Sequence, residues 1–257
     1  MRLSVELVPR DEASLAAQLG EVAGLTRVDT INVPDLSQFT LGGWRAAAQV
    51  RAAGAWWPVP HVRATELAGN DSAVAQIVGG LTAAGIREVL VVSGDQGPAA
   101  APGAPSPVAR AGAGVTPALA AIRLLKAAAP TLTVYAALDP YRSGFAEELA
   151  YAEAKLEAGA DGLFTQPFFD LRLLDVWREL TSGVQVFWGV TSVTSPRSQR
   201  YWLSRNRAVF PSSFEPTLAW HRDLAARVVD DVATYGGNLY FMPIKVGIVD
   251  WLGDLLG

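Results

Sequence analysis

The chain has 257 residues, half of them hydrophobic and 18% charged, with 21 Lys+Arg against 25 Asp+Glu, a formal net charge of −4, and no cysteine. That length suits one or two domains, a single α/β barrel included, and so apolar a sequence builds a large core, which excludes a disordered chain or a solvated coiled coil. The acidic balance gives no bulk attraction to a nucleic-acid backbone, and the lack of cysteine excludes a disulfide framework, a thiolate metal site and a cysteine nucleophile.

The first residues, Met-Arg-Leu-Ser-Val-Glu (1–6), carry charge inside a short apolar run and lack the layout of a signal peptide. No apolar run approaches the roughly 20 residues that cross a bilayer. The expectation is a soluble, cytoplasmic protein with no membrane partner.

Eight short β-type runs, 3–8, 28–33, 57–62, 88–93, 131–137, 162–166, 184–190 and 238–243, are rich in Val, Ile, Leu and aromatic residues and mostly flanked by Gly or Pro. Between them lie helical stripes: Leu15/Leu19/Val22, Val74/Ile77/Val78/Leu81 and Leu224/Val228/Val232 recur at three- and four-residue spacings that bury one helix face against a sheet. Gly-Ala-Asp-Gly (159–162) and Tyr-Gly-Gly-Asn (235–238) supply helix stops. A strand-then-helix alternation of this kind predicts an α/β fold, a (β/α)8 TIM barrel forming one domain over 1–257. An open doubly wound sheet is the alternative, because periodicity does not show closure. The long gap between strands seven and eight, with 198–205 and 216–235, predicts an extra helix there. Segment 97–114, mostly Ala, Pro and Gly with no apolar period, follows strand four on the face where barrels place their chemistry; it reads either as a lid or as an excursion without a role.

Glu6 interrupts the apolar run Ser-Val-Glu-Leu-Val. A buried carboxyl resists ionisation, so a glutamate inside a barrel holds its proton near neutral pH and can act as a general acid. The competing reading is a structural glutamate paired with Arg10 or Lys245. Asp95, after Val-Leu-Val-Val-Ser-Gly, ends strand four and either faces the reaction centre or caps a turn, with Gly94 allowing close backbone approach. Gln166 ends strand six, where its amide both donates and accepts, as a pterin or pyrimidine-like edge requires; a generic polar barrel end is the competing reading. His61 ends strand three and reads first as a packed structural residue; His221, on a late helix, is expected to face solvent. Two such separated histidines argue against a His-based metal site. Phe168 and Phe169, beside Gln166, could stack on a planar ring or simply pack. Glycine-rich dinucleotide and phosphate loops, His-Glu-x-x-His and Gly-x-Ser-x-Gly are absent from the sequence.

The motifs Val-Glu-Leu-Val-Pro-Arg (5–10), Pro-His-Val-Arg-Ala (60–64), Val-Ser-Gly-Asp (92–95), Lys-Leu-Glu-Ala-Gly-Ala-Asp (155–161) and Phe-Thr-Gln-Pro-Phe-Phe-Asp (164–170), with an echo in Leu-Tyr-Phe-Met-Pro (239–243), occur in an order that resembles the methylenetetrahydrofolate reductases. The resemblance spans nearly the whole chain and is most specific over 155–170. It implies a (β/α)8 barrel that reduces 5,10-methylenetetrahydrofolate to 5-methyltetrahydrofolate, with FAD at the C-terminal strand ends and electrons from NAD(P)H. Residue by residue, Glu6 matches the acid that protonates N10 of the folate. Asp95 matches the carboxylate beside the resulting iminium. Gln166, with Phe168 and Lys245, falls on the substrate side, and His61, Ser93, Gly94, Asp139, Tyr151 and Lys155 fall on the cofactor side.

The departures from the family are specific. Ser93 stands where the family has arginine, Ala-Leu-Asp-Pro-Tyr-Arg (137–142) replaces a Tyr- and His-bearing stretch, and Tyr151 and Ala154 replace Asn and Arg, although Lys155 remains. Met-Pro-Ile-Lys ends the last strand in place of Thr-Leu-Asn-Arg. Catalytic carboxylates persist while flavin contacts thin out, so a flavin-free transfer from NADH to the folate stands beside the flavin-dependent reading. A folate-binding paralogue without reductase activity and a Schiff-base enzyme using Lys245 are the readings from other classes. The expected partners are a folate and a nicotinamide; a homo-oligomer is compatible with the sequence.

Overall fold

A computed structural model of the protein describes residues 1–93 and 116–257. Eight parallel strands close in chain order: β1 (Leu3–Glu6), β2 (Thr30–Val33), β3 (Trp57–Arg63), β4 (Glu88–Val92), β5 (Thr133–Leu138), β6 (Gly162–Pro167), β7 (Val186–Thr191) and β8 (Asn238–Met242). β1 pairs with both β2 and β8, which leaves no free sheet edge and settles closure in favour of the (β/α)8 barrel over the open sheet. Around it run α1 (Glu12–Val22), α2 (Gly43–Ala53), α3 (Ala64–Leu67), α4 (Asp71–Ala83), α5 (Pro117–Ala128), α6 (Phe145–Glu157), α7 (Leu171–Leu180), α8 (Pro196–Arg205), α9 (Leu218–Tyr235) and α10 (Ile248–Leu256). α8 and α9 both lie between β7 and β8, where the sequence pattern predicts an additional helix. Segment 97–114 lies outside the described residues.

The strand pleat sorts side chains between two cores. Leu3, Val5 and Leu7 of the first strand and its extension join the layer between sheet and helices, so Ser4 and Glu6 face the barrel interior. Inside, Val59, Leu90, Tyr135, Phe164, Phe187, Tyr240 and Met242 form a separate cluster, with Phe164 stacked on Phe187 at 4.1 Å between centroids. Burying an aromatic side chain of this size contributes roughly 1.5–3 kcal/mol. The N-terminal mouth is closed by Arg2, which donates to both oxygens of Glu88 at 3.0 and 2.9 Å and to Thr30. Chemistry is therefore directed to the opposite, C-terminal mouth.

Local sequence sets the joints. Asp11 and Ser14 form a reciprocal capping box at α1, and Ser195 caps α8 ahead of Pro196, whose missing N–H is no loss in a first turn. Gly189 lets β7 approach β6 where the register shifts between Phe164 and Pro167; a Cβ there would sit 2.5 Å from the Thr165 carbonyl oxygen. A third apolar cluster of Tyr141, Phe169, Val193, Trp202 and Ala208, with Phe210, Phe214 and Trp220 against it, seats α8 on the loops that follow β5, β6 and β7. Among the described residues no helix is long and apolar enough to cross a membrane.

Candidate active site

Closure of the barrel sets β8, β1, β2 and β3 side by side, and the inner face of this arc is polar near its C-terminal end. Register pairs Ser4 with Tyr240 across β1–β8 and Glu6 with Asn32 across β1–β2. The Tyr240 hydroxyl donates to Glu6 Oε2, and His61 Nε2 stands 3.9 Å from the same oxygen. His61 Nε2 also lies 3.2 Å from Asn32 Oδ1, and Asn32 Nδ2 donates to Ser4 Oγ at 2.6 Å.

The electrostatics follow from burial. Glu6, with a side chain only 13% exposed, has its pKa raised to about 7 by desolvation, partly opposed by the Tyr240 hydrogen bond that favours the carboxylate. Burial lowers His61 to about 4, against the smaller opposing pull of Asp35, so its imidazole is neutral at neutral pH. The close approach of His61 to Glu6 is accordingly a contact between an N–H dipole and an acid, not an ion pair. Neither Arg10 nor Lys245 is a partner of Glu6: among the described residues its contacts are Tyr240 and His61. A carboxyl poised near pH 7 in a water-poor wall can release a proton and recover it, the requirement for general acid catalysis.

Gln166 follows the inward-facing Phe164 by two positions on β6 and is half-buried, its amide unbonded to any described residue. Ser93 lies just beyond β4, half-buried. Gly94 and Asp95 lie outside the described residues. Phe168 corrects the expectation of ring stacking: beyond Pro167 the chain turns, and Phe168 packs in the sheet–helix layer with its ring edge-on to Trp188 at 5.8 Å. Phe169 is likewise core, against Trp202 and Phe210. Lys245 is exposed, with φ 57 in the left-handed region, which gives its amine none of the burial that activates a Schiff-base lysine. His221 is fully buried rather than solvent-facing: its Nε2 bonds the Val193 backbone, and desolvation lowers it to about 4.

The positions on β5 and α6 that the family resemblance assigns to a flavin are occupied in another way. Lys155, 3% exposed, donates from Nζ to the Ala137 carbonyl at 2.6 Å and sits 3.8 Å from Glu148 Oε1 and 3.8 Å from the centre of the Tyr151 ring. Tyr151 is itself buried, its hydroxyl 3.1 Å from Thr116 Oγ1. Asp139 accepts from Tyr141 N at 3.0 Å, and its own N–H donates to Glu148 Oε1 at 3.1 Å. Desolvation raises Glu148 and Asp139 and lowers Lys155 to about 7. Tyr151 and Lys155 are buried and in contact with one another, and His61 is engaged by Asn32, so these three do not fit the grip on a flavin that the resemblance assigns them, while Ser93 and Asp139 stay half-buried.

Sequence reasoning missed Tyr240, Asn32, Ser4 and Glu148. For the first three the signal lies in closure: only once strands eight and two flank strand one do their inward positions align.

A family model for methylenetetrahydrofolate reductase matches residues 48–226, from α2 into α9, a span that leaves out Glu6 and Tyr240. No curated protein matches the chain. Among solved structures it is similar to 2,3-dimethylmalate lyase, of the PEP mutase/isocitrate lyase superfamily, at 12% identity and TM-score 0.58, covering 95% of this chain and 75% of that one. Oxaloacetate acetylhydrolase with bound oxalate gives 13% identity and TM-score 0.58, covering 94% and 75%. Phosphoenolpyruvate phosphomutase from Streptomyces platensis subsp. rosaceus gives 18% and 0.54, covering 94% and 76%. At such identities these likenesses speak to architecture alone.

Proposed function

Because the chain belongs to the methylenetetrahydrofolate reductase family, we propose that it reduces 5,10-methylenetetrahydrofolate to 5-methyltetrahydrofolate, with a proton from Glu6 and a hydride taken directly from a reduced nicotinamide. The observation that carries the reading is the buried Glu6 carboxyl, held by the Tyr240 hydroxyl and titrating at about 7. Glu6 delivers its proton to N10 as the bond from N10 to the one-carbon unit breaks, which leaves an iminium at N5. The hydride of NAD(P)H adds to that carbon and completes the methyl group; NAD(P)+ leaves, and Glu6 regains a proton from solvent. Gln166 supplies donor and acceptor to the pterin edge, and Asp95 is assigned by its family motif to the developing cation. The internal pairing of Lys155, Glu148 and Tyr151 favours a route without flavin.

The test is oxidation of NADH and of NADPH by protein stripped of flavin, with and without methylenetetrahydrofolate. The expected result is folate-dependent oxidation, 5-methyltetrahydrofolate as product, and no gain on adding FAD. Activity that appears only after FAD is restored overturns the direct route, and tight folate binding without turnover in either condition overturns the reductase reading.

A further inference from the structure

The arc that holds Glu6 fixes more than its pKa. Ser4 Oγ accepts from Asn32 Nδ2 at 2.6 Å, which turns the other end of that amide, Oδ1, towards His61 Nε2 at 3.2 Å. An amide oxygen only accepts, so with the amide in this orientation the neutral imidazole carries its hydrogen on Nε2. That N–H points into the space that also contains Glu6 Oε2, 3.9 Å away, beyond hydrogen-bond length but within reach of the dipole, while the Tyr240 hydroxyl donates to the same oxygen. One hydroxyl donor on Oε2, with the imidazole N–H dipole nearby, makes it the poorer site for the carboxylic proton.

We infer that Ser4 and Asn32 lock His61 as the Nε2–H tautomer, and that this imidazole and the Tyr240 hydroxyl together make Oε2 the accepting oxygen of Glu6, so that its acidic proton is carried on Oε1. His61 is thus a positioning residue acting through Glu6, not a cofactor-lining one. The inference deepens the functional reading above by naming which oxygen of the acid is the donor. Among the described residues, the groups facing Glu6 are Tyr240 from β8 and His61 from β3. The charges near His61 are Asp35, after β2, and Arg63, which donates from Nε to Asp35 Oδ2 at 3.0 Å and also pairs with Glu66. Arg63 is thus paired with Asp35, and burial outweighs the remaining pull of that carboxylate, so the imidazole stays uncharged.

The chain has two histidines, so a long-range 1H–15N spectrum of histidine-labelled protein shows two imidazoles, and His61→Gln assigns them. The expected wild-type spectrum at pH 7 has His61 as one tautomer with Nε2 protonated. Asn32→Leu and Ser4→Ala should each give a tautomer mixture. A wild-type Nδ1–H tautomer, or an imidazole indifferent to both variants, overturns the lock. The second readout is the side-chain carboxyl 13C titration of Glu6, assigned by its absence in Glu6→Gln. Removing the imidazole dipole with His61→Leu should raise its midpoint by about half a unit, and His61→Gln, whose amide N–H supplies a dipole in its place, should restore it. An unmoved midpoint in His61→Leu overturns the contact with Oε2. Neither spectrum needs substrate, so loss of the reductase reading and loss of the lock are separate results.

Discussion

Glu6→Gln isolates the cost of holding a carboxyl in the barrel wall. Glu6 titrates at about 7 in the folded chain against an ordinary 4.5. Between those values the native state keeps a proton that the unfolded state has lost, so stability falls as pH rises through the window. At about 1.4 kcal/mol per unit, the full loss is about 3 kcal/mol. His61 acts with the opposite sign: its folded pKa of about 4 lies below the ordinary 6.5, so its contribution is lost as pH falls from 6.5 towards 4. That slope is shared by wild type and Glu6→Gln and cancels in their difference. Glutamine keeps the shape and accepts the Tyr240 hydrogen bond without titrating. Urea unfolding at pH 5 and pH 8 should therefore show the variant gaining about 2–3 kcal/mol on wild type between the two conditions. A stability difference that is the same at both pH values refutes the assignment of a buried, proton-bearing carboxyl.

The remaining expectations address the neighbours. Tyr240→Phe removes the one hydrogen bond that favours ionised Glu6, so the Glu6 midpoint in a carboxyl 13C titration should rise by roughly one unit. Lys155→Met leaves the fully buried Glu148 with Arg142, 3.8 Å away, as its remaining cation and should cost up to about 3–5 kcal/mol in urea unfolding, much of it recovered by adding Glu148→Gln; an unchanged midpoint in the single variant contradicts the buried pair. Phe168→Ala should cost about 3–5 kcal/mol of stability while leaving the KM for folate unchanged, because the ring lies behind the sheet; a raised KM at full stability returns it to the binding site.

The barrel was legible because its strands are apolar runs between Gly and Pro, and Glu6 because a carboxylate in such a run has few innocent explanations. Tyr240 and Asn32 were not, since an aromatic and an amide on a strand look like packing until closure puts β8 and β2 on either side of β1. His221 was misplaced although it extends the stripe Leu224/Val228/Val232 backwards by three residues, onto the buried face of α9. Phe168 failed for a different reason: period-two alternation stops where Pro167 ends β6, and the next ring falls behind the sheet. On α6, Glu148, Tyr151, Ala152 and Lys155 follow helical spacing, and the structure shows this mixed face buried as a unit. A sequence gives the face but not which of its charges will find each other. Tyr151 and Lys155 therefore read as contacts for a bound group, while the structure has them in contact with one another.

The most direct test of Glu6 as proton donor is the pH dependence of kcat/KM for methylenetetrahydrofolate reduction in wild type and Glu6→Gln. Wild-type activity is expected to fall above a midpoint near 7, as the acid loses its proton. The variant is expected to be slower by about 10²–10⁴-fold, with that limb gone. A variant that keeps wild-type rates, or retains the same limb, contradicts Glu6 as the donor.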